Sequence, residues 1–176
     1  GAHHFCGVGN GTVWCWGYSQ FGECTVEAPS VALPVQVTTL EGTPLEVEAG
    51  LFHTCALTNP GGVPRCWGQD FKSQLGGGDG DAGAGGYPVP TAAGIADGFH
   101  VYAGGNQACL LVSGGKLWCW GDALAVVGGS GFTSAPFLAS LPEAVTEVAL
   151  GLLHSCAIQS AGGVLCWGDN DFGQLG

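Results

Sequence analysis

One motif-rich stretch occupies residues 50–68 of this 176-residue chain and reads GLFHTCALTNPGGVPRCWG. Two short apolar runs, residues 51–58 and 63–67, lie on either side of the turn sequence Asn59-Pro60-Gly61-Gly62. Short apolar runs around a glycine-containing turn are typical of a β-hairpin. Residues 45–49 form a further candidate strand directly before the hairpin.

The same pattern occurs four times along the chain. Each copy has a glycine, a cysteine five residues later, a glycine-rich turn and the sequence Cys-Trp-Gly. The first cysteines lie at positions 6, 55, 109 and 156, so the steps are 49, 54 and 47 residues. A period near 50 residues suits one four-stranded β-propeller blade and is too long for most helical repeats. We therefore predict an all-β chain of four propeller repeats, at approximately 1–44, 45–97, 98–144 and 145–176, the first and last incomplete.

The combined motif resembles the regulator of chromosome condensation repeat. It reads V-x-A-G-x-x-H-T-C-A-L, then G-G-V-x-x-C-W-G, then Q-L-G, and residues 47–76 and 148–176 match it best. The resemblance implies a β-propeller of about seven blades around a central channel. The cysteine-bearing form is similar to bacterial secreted members of the family. Repeat three departs from the pattern, because Gln107 replaces the histidine and residues 123–129 replace the Gln-Leu-Gly segment.

Four repeats are fewer than the seven blades that the resemblance implies. The simplest hypothesis is that the chain is a segment of a longer protein. The rival hypothesis is that open four-blade arcs assemble into a closed ring or a filament. Between the repeats, residues 76–90 and 128–136 are rich in glycine and proline, which predicts loops or edge connections.

Composition and charge argue against several classes of protein. The chain has 34 glycines and 46% hydrophobic residues but only 10% charged residues, which does not fit a disordered or a helical chain. No window of 18 residues is uninterruptedly apolar, so we predict no membrane insertion. The three basic residues, Arg65, Lys72 and Lys116, accompany 14 acidic residues, and the net charge is -11. Such a surface repels phosphate backbones, so we predict that nucleic acid is not a partner.

Eight of the nine cysteines form within-repeat pairs in the sequence pattern. The predicted disulfides are Cys6–Cys15, Cys55–Cys66, Cys109–Cys119 and Cys156–Cys166. The members of each pair lie on opposite arms of a predicted hairpin, where facing Cα atoms are close enough for a disulfide. Zinc is the competing interpretation, but two thiols per repeat are fewer than the four converging ligands of a structural zinc site. Four disulfides imply an oxidising compartment, which predicts an extracellular or cell-surface protein.

Cys24 lies outside these pairs. It aligns with Leu75 and Leu175 of the Gln-Leu-Gly segments. We expect a small buried thiol in place of a core leucine. The alternative is a bridge to a cysteine outside this chain.

A tryptophan follows the second cysteine of every repeat. These residues are Trp16, Trp67, Trp120 and Trp167. Strand alternation places each indole on the sheet face opposite its cysteine, and we expect one blade's indole to pack against the next blade's cystine. Trp14 and Trp118 would enlarge the same face. Regular spacing favours an inter-blade core over a ligand-stacking platform.

Histidines and acidic pairs are the remaining candidates for chemistry. His4, His53 and His154 lie two residues before the first cysteine, and Gln107 interrupts the series, so we expect structural hydrogen bonds to backbone groups. Acidic residues cluster in two turns, Asp79-Gly80-Asp81 and Asp169-Asn170-Asp171. Both lack a full calcium loop, and solvated turn residues are the simpler interpretation. We therefore predict neither a metal nor a cofactor.

The sequence favours a non-catalytic, extracellular repeat domain with a structural or protein-binding role. Loops from many blades can form one recognition surface, and residues 77–90 and 123–136 are the most divergent inserts. No G-x-S-x-G, H-E-x-x-H or P-loop motif occurs, so we predict no enzyme activity. The alternative is a regulator of an enzyme. The resemblance allows an inhibitor of a secreted enzyme such as a β-lactamase, or a guanine nucleotide exchange factor, which the cystines and the charge disfavour.

Overall fold

The computed structural model describes residues 1–26, 28–77, 89–90, 95–122 and 132–176. These residues form four antiparallel β-sheets, and this confirms the predicted all-β fold of propeller blades. The described residues include no helix with the length and hydrophobicity to cross a membrane.

The sheets follow one another along the chain and are named blades 1 to 4. Blade 1 consists of β1 (His4–Gly9), β2 (Thr12–Ser19) and β3 (Ala28–Gln36). Blade 2 consists of β4 (Thr43–Ala49), β5 (His53–Asn59), β6 (Val63–Gly68) and β7 (Val89–Pro90). Blade 3 consists of β8 (Gly98–Gly104), β9 (Gln107–Val112), β10 (Lys116–Asp122) and β11 (Phe132–Leu138). Blade 4 consists of β12 (Val145–Leu150), β13 (His154–Gln159) and β14 (Val164–Gly168). In each blade, strands that are consecutive in the chain pair with one another.

The central hairpin of each blade contains the repeated motif. In blade 2, β5 pairs with β6 in a register that places Cys55 opposite Cys66 and His53 opposite Gly68. The corresponding hairpins of the other blades place their two cysteines opposite each other in the same way. Because side chains alternate along a strand, Trp67 then points to the face opposite Cys66.

The outer strands β3, β7 and β11 are rich in proline. They contain Pro29, Pro34, Pro90 and Pro136. A proline cannot donate to a β-ladder, but an edge strand needs donors on only one side. The segments 76–90 and 128–136, predicted as loops or edge connections, thus contain the strand β7 and the start of β11. Strand β3 was not predicted from the sequence.

The inner strands β4, β8 and β12 connect neighbouring blades. Strand β8 contacts β4 on one side and β12 on the other. The Glu46 carboxylate of β4 accepts a hydrogen bond from the Val101 N–H of β8 and lies 3.0 Å from His100 Nδ1. Burial raises the pKa of Tyr102, whose hydroxyl hydrogen-bonds the backbone of Val148 in β12. A side chain therefore reaches the backbone of the next inner strand at both of these contacts.

Apolar clusters fill the three junctions between these blades. The first joins Val13, Cys15 and Cys24 of blade 1 to Ala56 and Trp67 of blade 2. The second joins Cys55, Leu57, Cys66, Leu75 and Ile95 of blade 2 to Val101, Ala108, Leu110 and Trp120 of blade 3. The third joins Cys109, Leu111, Leu117, Cys119 and Ala139 of blade 3 to Val145, Val148, Ala157 and Trp167 of blade 4.

The direction of the tryptophan packing is the reverse of the one expected from the sequence. Trp67 shares a cluster with Cys15 of the preceding blade, and Trp120 shares one with Cys55 and Cys66. An indole therefore lies against the cystine of the blade before it. Strand alternation predicts that the two groups lie on opposite faces, but it does not say which face points toward which neighbour.

Candidate interaction surface

The glycine of the Cys-Trp-Gly motif fixes the end of each central hairpin. Gly68 has a φ of 107°, and a Cβ atom there would lie 2.6 Å from the Phe52 carbonyl oxygen. The same carbonyl accepts a hydrogen bond from the Gln69 N–H at 2.8 Å. Equivalent bonds follow the glycines of the other blades, from Tyr18 to His3, from Asp122 to Asn106 and from Asp169 to Leu153. Only glycine permits this left-handed turn so close to a carbonyl.

In blades 2 and 4, the first glycine of the motif makes room for the histidine. A Cβ atom on Gly50 would lie 2.1 Å from the His53 ring, and one on Gly151 would lie 2.5 Å from the His154 ring. The Gly-x-x-His spacing is therefore explained by an imidazole packed against a backbone that has no side chain. In blade 3, which has Gln107 instead, the space at Gly104 is taken by Leu150 of blade 4.

The Gln-Leu-Gly turn presents a hydrogen-bond acceptor to the following blade. Gln74 Oε1 accepts the Lys72 N–H at 2.7 Å, and Asp70 Oδ1 accepts the Leu75 N–H at 2.9 Å. The turn thereby presents the Gln74 carbonyl, which accepts the Trp120 indole N–H at 3.0 Å. The same bond at the first junction runs from Trp67 Nε1 to the Glu23 carbonyl at 2.8 Å.

The structure contains the four within-blade disulfides. Cys6–Cys15, Cys55–Cys66, Cys109–Cys119 and Cys156–Cys166 all have Cα–Cα distances of 4.1 Å. Each bond joins directly opposed residues of a hairpin, as the hydrogen-bond registers show. Four such bonds point to an oxidising environment.

Cys24 is a free, fully buried thiol in the first junction. Its N–H donates to Ser19 Oγ at 3.0 Å, which is the bond that Leu75 makes to Asp70 in blade 2. Burial raises the pKa of the thiol to about 11, so the thiolate is disfavoured. Cys24 thus occupies a leucine position in the core.

The four repeated tryptophans differ in exposure along the chain. Trp67 and Trp120 are fully buried and Trp167 is nearly so. Trp16 is half-buried and stacks on Phe5, with ring centroids 6.0 Å apart. Trp118 packs against the same cluster as Trp120, whereas Trp14 is exposed.

The buried histidines make fewer hydrogen bonds than expected. His4 Nε2 lies 2.9 Å from Thr54 Oγ1 of the next blade, and His4 also lies near the His53 backbone, although His4 Nδ1 has no hydrogen-bond partner. His53 is fully buried, and neither ring nitrogen has a hydrogen-bond partner, although the Gln107 backbone is near. Burial lowers the pKa of His4 to about 4 and that of His53 to about 3.

A missing hydroxyl explains the unpartnered His53. Thr54 faces His4, and the Ser155 hydroxyl lies 3.2 Å from Gln107 Nε2. The equivalent residue opposite His53 is Ala108, which has no polar atom in its side chain. The prediction of structural contacts to backbone groups fits the proximity of His4 to the His53 backbone and of His53 to the Gln107 backbone, while the side-chain hydroxyl that faces His4 is absent at His53.

Glu23 is a buried carboxyl where Gln74 and Gln174 stand in other repeats. Its Oε2 accepts the Phe21 N–H at 2.9 Å, while Oε1 has no partner. Burial raises the pKa of this carboxyl. A glutamine amide would be neutral in the same place.

The acidic turn of blade 4 is held by its own side chains. Asp169 Oδ1 accepts the Asp171 N–H at 2.9 Å, and Asn170 Oδ1 accepts the Leu175 N–H at 3.0 Å. Residues 79–81 lie outside the described residues. Within the described part of the chain, no three His, Cys, Asp or Glu side chains are grouped so as to hold a metal ion.

One end of the blades carries a row of aromatic side chains, which we name the aromatic face. It consists of His3, Tyr18, Phe21, Phe52 and Phe71. His3 stacks on Phe52 at 5.7 Å, Tyr18 and Phe21 each lie 5.8 Å from Phe52, and Phe21 lies 5.9 Å from Phe71. These residues lie at the ends of the central hairpins and in the turns beside them, so the row crosses from blade 1 to blade 2.

The aromatic face has few charges in a chain whose net charge is -11. The carboxyl-bearing residues of its turns, Glu23 and Asp70, are buried beneath it. Phe71 is 56% exposed, and only Lys72 among the described charged residues of these two turns reaches the surface beside it. The centre of a protein interface is likewise rich in aromatic residues and poor in charge.

The opposite end of the blades is acidic. Glu41, Asp97 and Glu143 are exposed there, each in the link that leads into an inner strand. Glu41 forms an ion pair with Arg65 at 2.9 Å. In blades 1 and 2 the two ends therefore differ in chemistry, whereas in blade 4 the turn at the same end as the aromatic face carries Asp169 and Asp171.

Comparison with known proteins accounts for the repeated geometry. The model of the regulator of chromosome condensation (RCC1) repeat matches residues 10–57, and a second model of the same repeat matches residues 145–174. Residues 10–57 and 145–174 are therefore RCC1 repeats.

The relatives are longer than the chain. The RCC1 domain-containing protein RUG3, mitochondrial, of Arabidopsis thaliana is 30% identical over 197 residues, which cover 100% of this chain and 42% of RUG3. Yeast RCC1 (Prp20), solved bound to Kap60, matches with a TM-score of 0.81 at 20% identity over 96% of this chain and 42% of that one. The ectodomain of the Physcomitrella patens receptor kinase CR4 matches with a TM-score of 0.61 at 22% identity over 98% of this chain and 40% of that one.

These comparisons bear on the family, the fold and the general role of the chain. The RCC1 repeats and the propeller neighbours confirm the family resemblance and the fold. A propeller of RCC1 repeats supports a binding or regulatory role. Because the chain spans 42% of RUG3 and of Prp20, the activities of whole relatives do not follow from the match.

Proposed function

We propose that this RCC1-repeat chain is a non-catalytic protein-binding domain of an extracellular or cell-surface protein, and that it binds its partner through the aromatic face. The observation that carries the proposal is the row from His3 to Phe71, whose two end residues are exposed and whose middle residues are half-buried, in a chain with a net charge of -11. Exposed aromatic patches of this kind are typical of protein interaction sites.

The extracellular part of the proposal rests on the disulfides. Four local cystines in 176 residues are typical of compartments where reductants are scarce. The receptor-kinase ectodomain, which has a similar fold, supports this location because it is itself an ectodomain. RUG3 is named as a mitochondrial protein. The proposed location is therefore tested by measuring whether the paired cysteines are oxidised in protein isolated from its source.

The divergent inserts 77–90 and 123–136 are proposed as further contacts. The first insert follows the Gln-Leu-Gly turn of blade 2 directly, and that turn contains Phe71. Partner selectivity would then come from the inserts and affinity from the aromatic face. Most of both inserts lies outside the described residues.

The test is affinity capture from the medium of the source cells, with the chain as bait and two matched variants. Phe71→Ser removes the exposed end of the aromatic row, and Leu33→Ser alters a 76%-exposed residue on outer strand β3. We expect a partner that the wild type and Leu33→Ser retain and that Phe71→Ser loses. A set of bound proteins that is the same for all three baits would contradict the proposal.

Regulation of an enzyme is the alternative form of this binding role. A further structure, Prp20p of Saccharomyces cerevisiae, matches this chain with a TM-score of 0.78. Prp20p has binding properties to Gsp1p and histones. If the captured partner is an enzyme, its activity at a stoichiometric ratio of the chain distinguishes an inhibitor from a passive binder. An exchange factor would instead accelerate nucleotide release from a small GTPase.

A further inference from the structure

The turn of the first central hairpin contains an acceptor sequence for asparagine-linked glycosylation. Residues 10–12 read Asn-Gly-Thr, which fits the pattern Asn-x-Ser/Thr in which the middle residue is not proline. The chain has three other asparagines, Asn59, Asn106 and Asn170, and none is followed two residues later by serine or threonine. Asn10 is therefore the one acceptor in this sequence.

Asn10 occupies a tight turn that exposes it to solvent. Gly9 pairs with Thr12 across β1 and β2, so Asn10 and Gly11 form a two-residue hairpin loop. Their φ angles are positive, 53° for Asn10 and 73° for Gly11, as a type I′ turn requires. Both residues are exposed, and a Cβ atom on Gly11 would have open space around it. A bulky group on the Asn10 amide therefore fits without rearrangement of the blade.

The exposure of this turn is a property of the blade and not of its place in the chain. Blade 3 packs against a neighbouring blade on each side, and Ser113 and Gly114 at the tip of its central hairpin are also exposed. Blade 2 likewise has two neighbours, and Asn59 and Pro60 at its hairpin tip are exposed. The hairpin tips thus lie outside the junctions, and a blade packed before blade 1 would leave Asn10 accessible.

The turn lies at the end of the blades opposite the aromatic face. Strand β1 begins directly after His3 of the aromatic face and runs away from that face to the turn. At the far end, Gly11 lines the same surface depression as Gly42 and Pro44 of the link into blade 2. Glu41, which is exposed at the acidic end, belongs to that link. A glycan on the turn would project from the acidic end and leave the aromatic face uncovered.

We infer that Asn10 carries an N-linked glycan, an inference that rests on the extracellular or cell-surface location proposed above. The transfer forms a bond between Asn10 Nδ2 and the anomeric carbon of the first sugar. The donor is a lipid-linked glycosyl pyrophosphate, in which the bond between the anomeric carbon and the phosphate oxygen breaks and the lipid pyrophosphate leaves. The amide nitrogen loses one proton to a base of the transferase, and no atom is oxidised or reduced.

The glycan restricts where a protein partner can bind. N-linked glycans are bulky and strongly hydrated, so they exclude proteins from the surface around their attachment site. Around Asn10 this surface is the acidic end of blades 1 and 2. The aromatic face, at the other end, stays available to a partner with or without the glycan.

The experiment is mass spectrometry of the protein isolated from the medium or the surface of its source cells. Peptide-N-glycosidase in heavy-oxygen water removes an N-linked glycan and converts the asparagine that carried it to an aspartate labelled with heavy oxygen. We expect the label at Asn10. An unmodified Asn10 in protein whose paired cysteines are oxidised would overturn the inference.

Three variants secreted from the same cells separate this modification from others at the same turn. Asn10→Asp removes the acceptor amide but keeps Asp-Gly, a sequence that type I′ turns favour, so it should fold as the wild type without the glycan. Thr12→Ala should also lose the glycan, whereas Thr12→Ser is the matched control and should keep it. A glycan that persists in Asn10→Asp and disappears in Thr12→Ala would be attached to the Thr12 hydroxyl and would overturn the inference. Melting temperatures of the deglycosylated variants check their folding.

Failure of this inference is distinguishable from failure of partner binding at the aromatic face. Asn10→Asp should capture the same partner as the wild type, and Phe71→Ser should keep the glycan. Loss of the partner in Asn10→Asp would contradict the separation of the glycan from the binding surface. Native protein with reduced paired cysteines would overturn both the proposed location and the glycan.

Discussion

Glu23 fits its turn less well than the glutamines that occupy the same position in other repeats. The turn needs a side-chain oxygen acceptor at this point, which Gln74 and Gln174 supply through Oε1. Glu23 supplies it through Oε2 but leaves Oε1 buried without a partner. The carbonyl of Glu23 still binds Thr54 and Trp67, so the cost is confined to the carboxyl group.

We therefore predict that Glu23→Gln stabilises the chain at neutral pH by about 1–2 kcal/mol. The pKa of the folded carboxyl is raised, so the wild type loses stability as pH rises from the unfolded pKa through the folded pKa. The gain of the variant should thus be full above the folded pKa and vanish in acid, where Glu23 is protonated in both states. Urea unfolding at pH 7.5 and at a pH below the unfolded pKa measures it. Gln74→Glu is the matched control and should destabilise at pH 7.5.

His53 gives a second test at the residue scale. Ala108→Ser would place a hydroxyl opposite the unpartnered imidazole, as Thr54 does for His4. We expect this substitution to raise the free energy of unfolding by about 1 kcal/mol. Thr54→Ala should lower it by a similar amount or more. An unchanged stability after Ala108→Ser would mean that the ring is oriented away from this position.

Within one blade, the conformation of a single glycine controls the end of the hairpin. Gly68→Ala would force a Cβ atom against the Phe52 carbonyl at a positive φ. We predict a loss of about 2–3 kcal/mol in thermal or urea unfolding. Gly11→Ala is the control, since Gly11 also has a positive φ, of 73°, but has open space where a Cβ atom would lie. A loss no larger than that of Gly11→Ala would contradict the steric account.

The cystines and Cys24 can be told apart by their reactivity. In denaturant without reductant, we expect one thiol per chain to react, because Cys24 is the free cysteine. In the folded chain the same thiol should be unreactive, since it is fully buried and its pKa is about 11. Mass spectrometry after labelling counts the modified sites. Rapid labelling of the folded chain would show that the first junction opens.

The blade was largely predictable because its strands are short, apolar and punctuated by glycine. The hairpins, the inner strands and the cysteine pairs follow from spacing, since a hairpin fixes which residues face each other. The outer strands were harder, because Pro29 and Pro34 are expected to interrupt a strand and only an edge position makes them acceptable. The aromatic face gave no signal, because rings such as His3 and Phe52 are far apart in sequence and meet only across a junction.

At the scale of the whole chain, buried histidines make stability depend on pH. The pKa is about 4 for folded His4 and about 3 for folded His53, against an ordinary value of about 6.5. The unfolded chain therefore binds more protons between these limits. Above about pH 6.5 these histidines do not lower the free energy of unfolding. Below that pH the free energy of unfolding falls, by up to about 1.4 kcal/mol per pH unit for each histidine.

Unfolding free energies measured from pH 7.5 to pH 4.5 test this dependence. His4→Gln and His53→Gln copy the residue that blade 3 has at Gln107, and together they should flatten the slope. An equally steep slope in the double variant would assign the acid sensitivity to other groups.

The hydrogen bonds from Trp67 and Trp120 to a turn carbonyl of the preceding blade have a consequence for how the number of repeats can change. The donor belongs to the later repeat and the acceptor to the earlier one, so these junctions use the same two halves in the same order. Tandem duplication of one repeat in the gene therefore creates a new junction from parts that already fit, and deletion of one repeat restores an old one. Variation in blade number requires no compensating mutation at the seams, and selection is left free to act on the faces that meet other molecules.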